Sequence, residues 1–146
     1  MSIAGALSSH LKANTDVSLA VGSRVYRGVA PQGTPFPYIV IQQISGRHVR
    51  HMTAASGLAG PVFQISCVAD DPVGADDLSD AVREALDHFE GTIGTPPNTA
   101  TVQAAFVEGE AYTFDPPRDA SDVGIHVVRT TLEVWHTETV PVFAHV

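Results

Sequence analysis

The clearest pattern along the chain is a run of apolar residues at helical spacing near its middle. Intervals of three and four residues separate Leu78, Ala81, Val82, Ala85, Leu86 and Phe89. This periodicity predicts an amphipathic helix from about Gly74 to Glu90, whose apolar stripe covers a sheet, with Gly91 as the C′ residue after it. A shorter stripe with the same spacing predicts a first helix that begins at Ser2 and ends near Asn14.

Alternating apolar and polar residues, rich in β-branched and aromatic side chains, predict strands elsewhere. The segments with this character are Arg24–Tyr26, Tyr38–Ile44, Val62–Ala69, Val102–Tyr112 and Ile125–His136. Tyr38–Ile44 and Val62–Ala69 should pair antiparallel, so the aperiodic Ser45–Gly60 between them is a long connection or the tip of an extended hairpin. The small, proline-interrupted Gly91–Thr101 is interpreted as a flexible loop.

A stiff loop is predicted between the first two strands, in the stretch V-G-S-R-V-Y-R-G-V-A-P-Q-G-T-P-F-P-Y-I-V-I. Pro31, Pro35 and Pro37 fix φ and remove backbone donors, while the glycines around them permit positive φ. We therefore expect one defined conformation between Arg27 and Phe36, with strand pairing resuming after Pro37.

These elements together predict an α+β fold. We expect a mainly antiparallel sheet of four to five strands packed against one long helix, with a short N-terminal helix beside it. A chain of 146 residues is the size of one domain, so residues 1–146 are assigned to a single domain. Residues 137–146 show no clear pattern and are interpreted as a mobile tail that orders on a partner.

Composition and charge narrow the classes of protein. Hydrophobic residues make up 44% of the chain and charged residues 16%, which excludes a highly charged disordered chain. No apolar run reaches the roughly 20 residues of a membrane span, and no secretory signal is recognisable, so we expect no membrane association and synthesis in the cytoplasm. The net charge is −8, yet residues 1–60 carry five basic side chains against one acidic, and residues 61–146 carry three against fifteen.

The division of charge has two readings. The two sets of side chains either scatter over one common surface or form opposite faces that meet between neighbouring copies of the protein. The second reading directs attention to the basic segment R-H-V-R-H, because arginine binds carboxylates and phosphates through two parallel hydrogen bonds. A solvated loop explains the same segment equally well. The residues chosen as a candidate interface are Arg47, His48, Arg50, His51, Glu108 and Glu110.

No pattern of residues predicts catalysis. His48 and His51 lack a third ligand and stand beside arginines, which disfavours a metal ion. The single cysteine, Cys67, alternates with apolar residues on one strand face and is interpreted as a core residue, as Tyr112 and Trp135 are interpreted as core or interface. The aspartates around Asp76 are interpreted as helix dipole partners. We therefore predict no enzyme activity, no catalytic residues, no cofactor and no metal.

Several segments resemble the tail-terminator or tail-completion family of long-tailed bacteriophages and gene transfer agents. The most specific are A-P-Q-G and P-Y, residues 30–33 and 37–38, and the resemblance continues through P-V-F-Q-I-S-C-V-A-D, A-D-D-L-S-D-A-V-R-E-A-L-D and L-E-V-W. Gly91–Thr101 and the extension after Trp135 depart from it. Bacteriophage and gene transfer agent members are not distinguished by these segments.

The resemblance implies a virion structural protein. Such a protein forms a ring, expected to be a hexamer, that caps the tail tube, ends its polymerisation and joins the tail to the head. The implied partners are the major tail tube protein and a head-connector or neck protein, and the implied location is the head-proximal end of the tail. DNA would pass through the lumen without specific binding, because carboxylates there repel it.

Two alternatives stay open. The nearer one is another neck or tail-tube component of the same particle, which the position of the subunit in the particle would distinguish. The remote one is a small metal-dependent hydrolase that uses His48 and His51. Metal analysis of the purified protein together with His51→Ala would separate a hydrolase from a structural protein.

Overall fold

A computed structural model describes residues 3–46, 48–50, 55–95, 98–116 and 124–137. Within these residues the chain forms three α-helices and eight β-strands, which confirms the predicted α+β class. The elements in chain order are α1 (Ile3–Ala13), α2 (Thr15–Val21), β1 (Val25–Arg27), β2 (Tyr38–Ser45), β3 (His48–Arg50), β4 (Ala55–Ala59), β5 (Val62–Ala69), α3 (Pro72–Leu86), β6 (Gly91–Thr95), β7 (Asn98–Asp115) and β8 (Ile125–Thr137).

The strands form one mixed sheet that is larger than the predicted four to five strands. β8 lies at its centre, between β5 on one side and the long β7 on the other, and all three run antiparallel to their neighbours. β2 continues the sheet beyond β5, and β1 pairs with β2 in parallel. β4 follows the line of β5 past Gly60 and meets the end of β8 at Leu58 and Ala59, while β3 pairs with β4.

One face of the sheet is covered by the helices. Leu7 and Leu11 of α1, Val82 and Leu86 of α3 and Leu132 of β8 belong to one buried cluster, and none of the five is more than 2% exposed. The cluster joins all three helices to the sheet, as the predicted apolar stripe requires. The helix-side face of β8 ends in a second small cluster formed by Ala69, Ala75 and Val128.

The predicted bounds of the helices need correction. α3 begins at Pro72 and not at Gly74, because the Asp71 carboxylate accepts a hydrogen bond from the Gly74 amide and Pro72 suits the first helical turn. It ends at Leu86, so Gly91 is not its C′ residue; the positive φ of 59° falls on His88. The acidic residues near Asp76 lie beyond the first turn. A separate helix, α2, follows at Thr15–Val21, where the sequence predicted no helix.

Two connections differ in how well they were predicted. The residues between β2 and β5 include β3 and β4, which confirms the extended hairpin. The prediction of a flexible loop at Gly91–Thr101 is wrong, because β6 pairs with the start of β7 in a hairpin. Ile93 and Ala100 of this hairpin are buried. The hairpin was missed because its residues are mostly small, and small side chains give only a weak alternation of apolar and polar positions. The single-domain assignment stays a prediction. Of the predicted mobile tail 137–146, Thr137 is the last residue of β8, and residues 138–146 lie outside the described residues.

The loop between β1 and β2 has positive φ at two glycines and is bonded to the strands beside it, while its predicted stiffness stays a prediction. Gly28 and Gly33 take positive φ values of 83° and 82°. Arg24 donates from Nε to the Pro37 carbonyl at 2.9 Å, and Gln42 donates from Nε2 to the Gly28 carbonyl at 2.9 Å. Strand pairing resumes at Tyr38, directly after Pro37, as expected.

Candidate assembly surface

The hairpin of β7 and β8 carries the surface on which the acidic candidate residues lie. Side chains alternate between its faces, and on β8 the even-numbered residues face the helices: the hydroxyl oxygens of Thr130 and Ser79 of α3 are 3.5 Å apart. Glu110 lies directly opposite Thr130, on the same face. Glu108 lies at a register shift between Val107 and Gly109, so its position belongs to a bulge in β7.

The hairpin extends beyond the part that the helices cover. From Gly109 to Asp115 every residue of β7 is exposed, although the strand continues to pair with β8 as far as Ile125. The exposed half carries two large aromatic side chains, Tyr112 and Phe114, which are 51% and 43% exposed. Tyr112 therefore lies on the surface, and of its two predicted roles the core is excluded.

A small aromatic cluster fixes the side chains at this end of the hairpin. Tyr112 and His126 are joined by a hydrogen bond between the phenol oxygen and the imidazole Nδ1. The ring of Phe114 lies 4.6 Å from that of His126, centroid to centroid. The three side chains lie on the helix side of the sheet, where they form a partly exposed aromatic patch. In the sequence, this patch shows only as the alternating aromatic residues of A-Y-T-F. The same alternation occurs in strands whose apolar side chains are buried, so it does not distinguish a surface patch from the core.

The basic candidate residues lie at a different corner of the sheet. His48 and Arg50 are the first and last residues of β3, whereas Arg47 and His51 lie outside the described residues. β3 pairs with β4, and β4 meets β8 at its last residue, Thr137. Glu110 is opposite Thr130, so seven residues of β8, roughly 23 Å, separate the two corners along the strand. Among the described residues, the structure therefore places His48 and Arg50 apart from Glu108 and Glu110 within one subunit.

Cys67 occupies the core position that its alternation predicts. Its side chain is fully buried, and burial raises the pKa of the Cys67 thiol to about 12, with the charge of Glu110 adding in the same direction. A thiol with this pKa is protonated at neutral pH and is not available as a thiolate nucleophile or ligand. Trp135 is half-buried on the opposite face of the sheet and donates from its indole nitrogen to the Glu133 carboxylate.

Other features of the described residues add no reaction centre. A groove of about 500 Å³ between α2 and α3 is lined by apolar residues and by the carboxylates of Asp16, Asp77, Asp80 and Glu84. In the described ranges no group of three or more His, Cys, Asp or Glu side chains is placed to hold a metal ion. Of the three helices described, none has the length and apolar character needed to cross a bilayer.

Comparison with known proteins agrees with the resemblance found in the sequence. No curated protein sequence matches the chain. A solved structure described as the virion of a native gene transfer agent particle contains a similar chain, with a TM-score of 0.70 at 17% identity over 92% of this chain and 94% of that one. At this identity the likeness establishes a shared fold.

The family comparison extends over most of the chain. The model of the family described as tail completion protein gp17 matches residues 5–116. The matched range begins in α1 and ends directly after β7, so it includes the stiff loop, α3 and the exposed half of β7. The predicted resemblance is confirmed, and the chain belongs to the tail completion protein gp17 family.

Proposed function

We propose that the protein is a structural virion subunit that forms a ring on the head-proximal end of a tail tube. The ring ends polymerisation of the tube and joins the tail to the head connector or neck. The observation that carries this proposal is the match to the tail completion family, which includes every element from α1 to β7. The similar chain in a gene transfer agent virion supports it, because the same fold is used there within a particle.

The arrangement of charge supports contacts between different patches of neighbouring subunits. The basic segment around β3 and the acidic residues Glu108 and Glu110 lie at separate corners of one sheet, so one subunit can meet two neighbours. Contacts of this heterologous kind close into rings when the rotation between subunits divides a full turn. A hexamer is the ring size that we propose. Carboxylates exposed towards the lumen would let DNA pass without sticking.

The function is tested by assembling particles without the subunit. We expect tubes of irregular length that fail to join heads, because the cap that stops polymerisation is missing. Electron microscopy of tail lengths and head attachment provides the measurement, and imaging of labelled subunits locates the protein. Tubes of normal length joined to heads would contradict the proposal, and label distributed along the tube would favour a tail-tube component.

The basic segment is tested by charge reversal. Arg47→Glu with Arg50→Glu places carboxylates where a neighbour's acidic surface should lie, and like charges at an interface disfavour assembly. We expect a clear loss of joined particles with an unchanged melting temperature of the isolated subunit. Arg83→Glu is the matched control, because Arg83 lies on α3 and is half-exposed beside Asp80. Normal particle yield from the Arg47 and Arg50 variant would count against this interface.

A further inference from the structure

The outer edge of β7 is protected along its first half and open along its second. β6 pairs with β7 from Asn98 to Val102. Farther along, the His88 amide donates to the Ala105 carbonyl at 2.8 Å, and the Val107 amide donates to the Asp87 carboxylate at 3.1 Å. The chain that leaves α3 thus covers the edge up to the bulge at Glu108. From Gly109 to Asp115, no other strand among the described residues pairs with this edge.

The hydrogen-bonding pattern identifies which backbone groups point outward on the open half. The Val134 amide donates to Pro61 beside β5, so even-numbered residues of β8 bond towards β5 and odd-numbered ones towards β7. Residues of β7 opposite the even-numbered set therefore direct their amides and carbonyls away from β8. Beyond the bulge these residues are Glu110, Tyr112 and Phe114, opposite Thr130, Val128 and His126.

An exposed edge of this kind is a template for another strand. Natural proteins cover or interrupt long edges, and on this one three consecutive residues, Tyr112, Thr113 and Phe114, have high strand propensity. The first half of β7 follows the rule, because β6 and residues 87–88 cover it. The open half pairs with β8 along its whole length, and the hydrogen bond between Tyr112 and His126 links the two strands on one face. The contrast within one strand indicates that the second half is kept open for pairing.

A complementary edge lies at the opposite corner of the same sheet. Within the described residues β3 pairs with β4 and with no other strand, so its outer side is also open. β3 is part of the basic segment with Arg47 and Arg50, whereas the open half of β7 carries Glu110 and Asp115. Opposite charges on facing strands stabilise pairing, and like charges oppose self-pairing of either edge.

The two edges cannot meet within one subunit. β4 meets β8 at Thr137, while Phe114 on the open half lies opposite His126. These points are eleven residue steps apart along β8, roughly 36 Å, and the edges are on opposite sides of the strand. Pairing between them therefore requires two copies of the chain, and each copy offers one edge of each kind.

We propose that the open edge of β7, from Gly109 to Asp115, pairs with β3 of a neighbouring copy, so that the sheet continues from subunit to subunit. This inference rests on the proposed ring, and it names the bonds that hold the ring together. Backbone hydrogen bonds supply the contact, while the arginines and carboxylates select the direction of assembly. Because the joined patches differ, the contact is heterologous and suits a closed ring.

The decisive variant is Tyr112→Pro, which removes one outward amide and leaves the bonds to β8 in place. Proline is accepted on an edge strand when its missing amide faces solvent. Tyr112→Ala is the matched control, since it loses the same side chain and keeps the amide. We expect at least a tenfold fall in joined particles for Tyr112→Pro relative to Tyr112→Ala, with both subunits folded by circular dichroism. Equal particle yields for the two variants would overturn the proposal.

If Tyr112→Pro fails to fold, a crosslinking measurement still tests whether the two edges pair. Val49→Cys is combined in turn with cysteine at each position from 110 to 114, and assembled particles are oxidised. The native Cys67 is fully buried and adds no background. We expect covalent ladders of several subunits at one or two positions, because disulfides form only between closely facing strands. Incorporation of all five variants without a ladder would overturn the proposal.

The two proposals fail in different ways. If particles with Tyr112→Pro still carry a subunit ring at the tail end, the edge pairing is wrong while the tail function stands. If the wild-type subunit is located elsewhere in the particle, the tail function is wrong, and a ladder in that location would still report edge pairing between copies.

Discussion

The two halves of the β7–β8 hairpin share one hydrogen-bonded ladder and differ in everything that surrounds it. In the near half, Val102 and Val134 are buried under the helices, and β6 covers the outer edge. In the far half, Tyr112 and Phe114 on the same strand are about half exposed, and no other strand in the described part of the chain pairs with the outer edge. The near half thus stabilises the subunit, whereas the far half is available to other molecules.

This difference shows why strand formation alone does not reveal a strand's role. Both halves have residues of high strand propensity and pair in continuous register apart from two irregularities. What separates them is whether a helix and a further strand happen to lie beside them. Substitutions in the near half should therefore change the free energy of unfolding, and those in the far half should change assembly.

The largest effect is expected for Leu86→Asp, at the end of α3 beneath the near half. Leu86 is 1% exposed, so the substitution buries an unpaired carboxylate and removes a core side chain. We expect a loss of roughly 4 kcal/mol or more in the free energy of unfolding. Chemical denaturation provides the measurement. Val73→Asp is the control on the same helix, because Val73 is 66% exposed and its replacement should change stability by no more than about 0.5 kcal/mol. Equal midpoints for the two variants would contradict the packing of α3.

A smaller effect is expected for Gly60→Ala, where β4 continues into β5. A Cβ atom at Gly60 would lie 2.6 Å from the ring of Trp135, and an indole ring held by a hydrogen bond cannot move aside easily. We expect a loss of about 1–3 kcal/mol, the usual range for overpacking. Thermal denaturation provides the measurement.

Gly109→Ala is the matched control in the far half. A Cβ atom at Gly109 meets nothing within 4 Å, and the residue does not require positive φ. Alanine there should stabilise the subunit slightly, by about 0.4–1 kcal/mol, because it restricts the unfolded chain. Destabilisation by both substitutions would remove the distinction between the covered and open parts of the sheet.

The sequence predicted the elements whose side chains carry strong periodicity. The apolar stripe from Leu78 to Phe89 identified α3, and the alternation in Ile125–His136 identified β8 to within one residue. The prolines and glycines of the loop before Tyr38 fixed its place between two strands. Side-chain periodicity and the conformational limits of proline and glycine act within a few residues. Each can therefore be recognised from one segment of the sequence.

Features that depend on distant residues were not predictable. The β6–β7 hairpin was missed because glycine and threonine dominate it, and its burial comes from contact with α1 and not from its own pattern. The start of α3 was displaced because the capping residue Asp71 and the first helical residue Pro72 lie before the apolar stripe that predicted the helix. The candidate residues Glu108 and Glu110 lie on an exposed strand, but the open edge beside them follows from sheet order, which no single segment encodes.

A small change in stability is also expected for Phe114→Ser in the far half. Phe114 is 43% exposed, and its main contact is the ring of His126, so the free energy of unfolding should fall by less than about 1 kcal/mol. Val102→Ser on the same strand should cost about 2 kcal/mol, because Val102 is 2% exposed within the main core. Urea titrations of both variants measure the difference. If Phe114→Ser proved as destabilising as Val102→Ser, the far half would be part of the folding core, and its exposed aromatic residues would not be reserved for a neighbour. A small loss of unfolding free energy for Phe114→Ser, beside a larger one for Val102→Ser, would mean that the far half contributes little to folding. Its exposed side chains could then contact a partner without unfolding the subunit.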